Sequence, residues 1–174
     1  MKLKKALSYL GLSKERKKGP PVRRTFRSGG RRKKSSKSVL WEKADDINKR
    51  VEKLLKLSEL PFNIENITTL RSYSSKARAY ARIWGLTKVW QLSLGIPAHY
   101  IIEVLSEKFD GLSDEKKDEV LLHELAHIPN NFSGSLIPHI RRGKRNFHGK
   151  VDRLIESVRM NSQDIRYQKS NIKI

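Results

Sequence analysis

The sequence predicts an α+β domain set behind a basic arm, and three observations predict it. Residues 113–129 read as one helix carrying two histidines a turn apart. Ala77–Trp84 and Tyr100–Leu105 have the alternation and β-branched content of strands, while residues 1–38 carry charge and almost nothing to bury. The chain therefore divides into a disordered basic arm over 1–38, a folded domain over 39–160 and a polar C-terminal tail over 161–174. Its 174 residues suit one such domain, since compact domains commonly run about 100 to 150 residues.

Of the formal net charge of +20, the arm holds +14, from 15 Lys and Arg against the single acid Glu15. Leu3, Leu7 and Leu10 sit at helical spacing and predict a short amphipathic segment that forms on contact with a partner. From Ser13 to Ser38 only Val22 and Phe26 offer apolar surface, too little to offset the entropy of ordering. Such an arm neutralises phosphates with a steep salt dependence and little sequence discrimination, so nucleic acid is the expected partner. A solubilising or targeting tail is the plain alternative. No cysteine is present, which excludes a disulfide framework and leaves any metal to His, Asp or Glu. The lack of an 18-residue apolar run or a signal peptide predicts a cytoplasmic protein without membrane contact, nucleoid- or ribosome-associated if the arm engages nucleic acid.

Along the domain, Leu40, Ala44, Ile47, Val51, Leu54 and Leu55 step by three and four, predicting a helix over Val39–Leu57 that Pro61 closes off. Residues 62–75, rich in Asn, Thr and Ser, read as a loop. Ala77–Trp84 alternates Arg78, Tyr80 and Arg82 with Ala79, Ala81 and Ile83, which suits a strand ended by Gly85. Lys88–Leu94 is apolar but ambiguous in period. Tyr100–Leu105 is the clearest strand, and Asp110-Gly111 turns it toward the next helix. Ser113 can cap that helix, Asp114 and Glu115 suit its positive end, and Pro129 stops it. A turn-rich loop follows over 130–139, and His148 opens a last periodic segment, Val151, Leu154, Ile155 and Val158, running to about Met160.

Within 113–129 lie His123, Glu124 and His127. Four-residue spacing separates the two rings by one turn and about 40°, so both leave one face and can bind one ion. Any one of these histidines, taken singly, fits an ordinary core position. Together, inside a helix whose second half is apolar on most of its circumference, they enclose a glutamate whose unpaired burial would cost several kcal/mol, and an ion with its water would compensate it. His-Glu-x-x-His on a helix is the pattern of zinc peptidases, whose glutamate takes a proton from the metal-activated water and carries it to the leaving amine.

Ala79–Gly85, Tyr100–Phe109, Leu121–Pro129, the Phe132-Ser133-Gly134 loop and His148-Gly149 together resemble the SprT-like zinc metallopeptidases, and more closely the phage metallopeptidase family that shares their pattern. The resemblance implies a minimal zincin domain, with a small antiparallel sheet packed on the His-Glu-x-x-His helix. It further implies His123, His127 and His148 as zinc ligands, Glu124 as general base, and an outer strand, taken as Tyr100–Leu105, that aligns an extended peptide by backbone pairing. Phe147 stands where Spartan-type relatives have a glycine before the third ligand. His139, twelve residues past His127, and Asp152 are therefore rivals to His148, ranked second and third; His99 is read as non-functional.

The expected function is thus zinc-dependent peptide hydrolysis on a polypeptide substrate, on or near nucleic acid. The competing expectation is a non-catalytic nucleic-acid or ribonucleoprotein-associated protein with a structural zincin domain. Tyr100, His139 and Arg141 are candidates for a second electrophile.

Overall fold

A computed structural model of the chain describes residues 38–139 and 147–171, with side chains described to residue 164 in the second segment. The elements are β1 (Leu40–Lys43), α1 (Asp45–Leu57), a single 3₁₀ turn at Ile64–Asn66, β2 (Ile67–Tyr73), β3 (Ala81–Gly85), α2 (Lys88–Leu94), β4 (Tyr100–Leu105), α3 (Ser106–Phe109), α4 (Asp114–Ala126) and α5 (Phe147–Asn171). This is the expected α+β class. The arm and its expected contact with nucleic acid lie, but for Ser38, outside the described residues, as does Arg141.

The sheet has four strands in the order β1-β2-β4-β3. It is mixed rather than antiparallel, because β2 and β4 pair in parallel from Ile67↔Tyr100 to Ser72↔Leu105. Parallel neighbours need a long crossover, and the stretch between β2 and β4, which holds β3 and α2, provides it. β4 is also not the outer strand. It pairs with β2 on one side and β3 on the other, so five of its six residues are buried and its run is apolar but for Glu103. The edge beside α4 is β3 instead.

Three other expectations change. Val39–Leu57 is a helix only from Asp45: Leu40–Lys43 pairs with Leu70–Tyr73 as β1, and Asp45 and Asp46 open α1 at its positive end. The expected loop over 62–75 holds β2, whose Ile67, Thr69 and Ser72 are buried. The apolar run at Lys88–Leu94 resolves as a helix. α5 continues to Asn171, past the predicted end near Met160, and there Asn161 Nδ2 donates to the Leu57 carbonyl at the end of α1 (2.7 Å).

Helices α1, α4 and α5 contribute Ile47, Val51, Leu54, Leu121, Leu125 and Leu154 to one core with the sheet residues Ile67, Tyr100, Ile102 and Val104. Arg50 ties α1 to α4 through Asp114 and Asp118. Ser113 caps α4, accepting from the Lys116 N–H. On the sheet, the Glu103 carboxylate is buried. Burial alone would raise its pKa, but bonds from Ser72, Arg82, Trp84 and Trp41 hold it below the usual range.

Candidate metal centre

α4 presents His123 and His127, both half-buried, on one face and buries Glu124 between them and the core. The helix ends at Ala126, with His127 as the capping residue. Lys150 of α5 holds this end, donating to the carbonyls of Ala126 (2.8 Å) and Ile128 (3.1 Å). A cation at orphan C-terminal carbonyls stabilises them twice over, by hydrogen bonds and by the helix dipole.

The chain then turns back on itself. The Ile137 N–H donates to the His127 carbonyl (2.8 Å), and the His127 ring Nδ1 lies 2.6 Å from the Ile137 carbonyl oxygen. A carbonyl can only accept, so Nδ1 carries the proton and Nε2 of His127 keeps its lone pair free for an ion. This pair of bonds delivers His139 to the helix. Its Nε2 lies 2.9 Å from Nε2 of His123, and one potential ligand atom from each of His123, His127 and His139 falls within 4.8 Å of the others. Phe147 packs against all three rings, at 5.3, 4.5 and 4.5 Å between centroids.

Contacts upstream hold the returning loop in place. The Tyr100 hydroxyl accepts from the Gly134 N–H (2.8 Å) and donates to the Ser135 carbonyl (3.0 Å), so the phenol proposed as an electrophile is occupied in holding the loop. Gln91 Nε2 donates to the carbonyls of Leu86 (2.7 Å) and Ser133 (2.8 Å). Gly134 sits at φ +83°, and a Cβ there would lie 1.9 Å from the Leu86 carbonyl oxygen. Only glycine fits both the left-handed backbone and that approach.

Of the residues expected at the site, the structure brings together His123, Glu124 and His127 with His139, the second-ranked candidate for the third ligand. His148 lies next to the cluster, its ring stacked parallel to that of His139 at 6.3 Å, and is exposed. Asp152 is exposed on α5 and outside the group. His99 meets Thr68 on the sheet (2.8 Å). Three imidazoles with one side open are a ligand set for zinc or a similar divalent ion. In a tetrahedral site with bonds of about 2.0–2.1 Å, ligand atoms stand about 3.3 Å apart, within the range spanned by this cluster, so the residues fit the group.

The electrostatics agree. Burial, then the neighbouring His127, His139 and His148, lowers the pKa of His123 to about 4. Burial also lowers that of His127, against the pull of the Ile137 carbonyl. Both rings are therefore neutral at neutral pH, the form that binds metal. Burial raises Glu124 to about 7, the range where a carboxyl can both take and give a proton. His123, Glu124 and His139 open into a cleft of about 440 Å³ whose far wall is β3, through Ala81, Ile83 and Trp84.

Sequence reasoning did not assign the roles of Tyr100, Gln91, Gly134 and Lys150. The signal available for one of them was Gly134 inside a turn-rich loop, since a glycine there marks a left-handed position. A family model described as Putative phage metallopeptidase matches residues 39–159. No curated protein and no solved structure matches the chain.

Proposed function

Because the chain belongs to the Putative phage metallopeptidase family, we propose that it is a zinc peptidase of the His-Glu-x-x-His type, with His123, His127 and His139 as ligands and Glu124 as general base. The observation that carries this reading is the convergence of three imidazoles beside a buried glutamate, in a cleft walled by the strand at the edge of the described sheet. The likeness of the sequence to SprT-like enzymes supports it. Bound there, zinc would polarise a water molecule and the scissile carbonyl. Glu124 accepts a proton from the attacking water at a carboxylate oxygen. As the new C–O bond replaces the C–N bond, it passes that proton to the departing amine nitrogen. The His127–Ile137 bond keeps the ring in the tautomer that binds metal. β3, at the edge of the sheet among the described residues, takes the role expected of Tyr100–Leu105 and pairs with an extended peptide through its outer backbone groups.

Elemental analysis tests the ligands: one zinc per chain, lost in His123→Ala and His139→Ala and kept in His148→Ala. Zinc lost with His148 and kept without His139 would move the third ligand to α5. Glu124→Gln should keep fold and zinc while lowering cleavage of a denatured protein by about 10²–10⁴-fold; undiminished cleavage would sink the mechanism.

The basic arm extends the proposal to proteolysis on or near nucleic acid in the cytoplasm. What supports this is the +14 charge of residues 1–38. Binding to a DNA or RNA duplex should then weaken steeply with salt, and a chain lacking residues 1–35 should lose most of that slope. An unchanged slope would place the contact in the folded domain.

A further inference from the structure

Helix α2 inverts the usual polarity of a surface helix. Val89, Trp90, Leu92 and Leu94 are 72, 59, 73 and 56 % exposed, while its one buried residue is Gln91. Ile96, just after the helix, and Trp84, before it, are exposed as well, at 44 and 52 %. Scattered apolar residues on a surface are ordinary, but so many along one short helix mark a contact surface. We propose that this face docks apolar segments of unfolded polypeptide, as an extension of the cleft that holds His123 and Glu124. The proposal rests on the peptidase reading for the cleavage of a docked chain, though not for docking itself.

The occupant can be argued from where α2 is fixed. β3, the wall of the cleft, runs directly into α2 by way of Gly85 and Leu86. The Gln91 amide fastens the helix both to Leu86 and to Ser133, at the root of the loop that brings Leu136 and His139 to the same cleft. Trp84 borders the cleft along the strand, while its indole donates to Glu103 beside Arg82 and stands 52 % exposed on the other face of β3. A chain laid along the edge of β3 therefore leaves its Gly85 end over α2. The chemistry of the face selects its ligand. Lys88 is the one Lys, Arg, Asp or Glu between Gly85 and His99, so the patch offers apolar area with almost no charge. That suits the apolar side chains of an unfolded protein better than an anionic lipid surface, which recruits clusters of basic residues. A folded protein seldom presents such side chains as a long contiguous run, so the face favours unfolded over native substrates.

The test uses the full chain. Binding of a reduced, carboxymethylated protein is measured by fluorescence anisotropy with the Glu124→Gln variant, at about 0.5 M salt to screen the arm. The same measurement is made on Glu124→Gln with Val89→Ser and Leu92→Ser added, both at positions open to solvent. We expect about tenfold or more loss of affinity, the scale set by two large apolar side chains leaving water. In the catalytically intact chain, the same two substitutions should raise KM for long apolar substrates and leave kcat nearly unchanged. Equal affinity in the two proteins would overturn the proposal. It is overturned as well if sedimentation shows a dimer that the two substitutions dissolve, making the face a self-contact, or if they abolish binding to anionic vesicles and spare the unfolded chain. Loss of chain binding in a protein that never cleaves peptides would keep the docking face and refute the peptidase reading.

Discussion

Two helices hold the same loop, residues 130–139, and bury opposite things. α4 buries Leu121, Leu122, Leu125 and Ala126 together with a glutamate, and turns its histidines to the cleft. α2 leaves its apolar residues in solvent and buries a glutamine. The difference shows that packing decides the placement of α4, while two hydrogen bonds from one amide do so for α2. A helix held by a core must keep its sequence pattern to keep its place. One held by a single polar anchor is free to vary its outer face for binding.

The sharpest way to break that contrast is a matched truncation. Leu125→Ala removes a side chain with no exposed surface and should cost about 2–5 kcal/mol in denaturant unfolding. Leu92→Ala, 73 % exposed, should change stability by less than about 0.5 kcal/mol. Comparable costs would mean that α2 is packed in solution and that the contrast is false.

A smaller effect separates the titrating groups of α4 in the metal-free protein. His123, lowered to about 4 chiefly by burial, destabilises the fold as pH falls from about 6.5 toward 4, because the unfolded chain binds the proton first. Glu124, raised to about 7 by burial, acts in the other direction and destabilises the fold as pH rises from about 4.5 to about 7. Between about 4.5 and 6.5 the two slopes oppose each other, so the natural chain should show a shallow profile. Glu124→Gln should instead gain stability with rising pH over that window and His123→Ala should lose it. The changes should be about 1–2 kcal/mol, after discounting for the half exposure of His123. Parallel slopes in the two variants would show that these groups do not titrate as their burial implies.

The legibility of the fold in the sequence divides along the same line between local and distant causes. α4 and β4 were legible because capping residues, period and composition lie within each segment, and so was the pairing of His123 with His127. β2 was missed: its Thr68, Thr69 and Ser72 resemble a loop until β1 and β4 pair with it on both sides. β1 reads as the start of a helix because Leu40 and Ala44 continue the period of α1. The weight given to His139 over His148 depends on the returning loop, which is fixed by Tyr100, Gln91 and the bonds between His127 and Ile137. Spacing along the chain carries no trace of those contacts.

The paired bonds between His127 and Ile137 also bear on how fast an ion would come and go. They close the loop 128–136 as part of folding, so the entropy of that closure is not lost again when a cation is captured. Capture then finds its ligands gathered and needs little rearrangement. Were His139 a ligand, release would begin with the peeling of 133–139 from the helix end, and that loop would set the residence time of the ion.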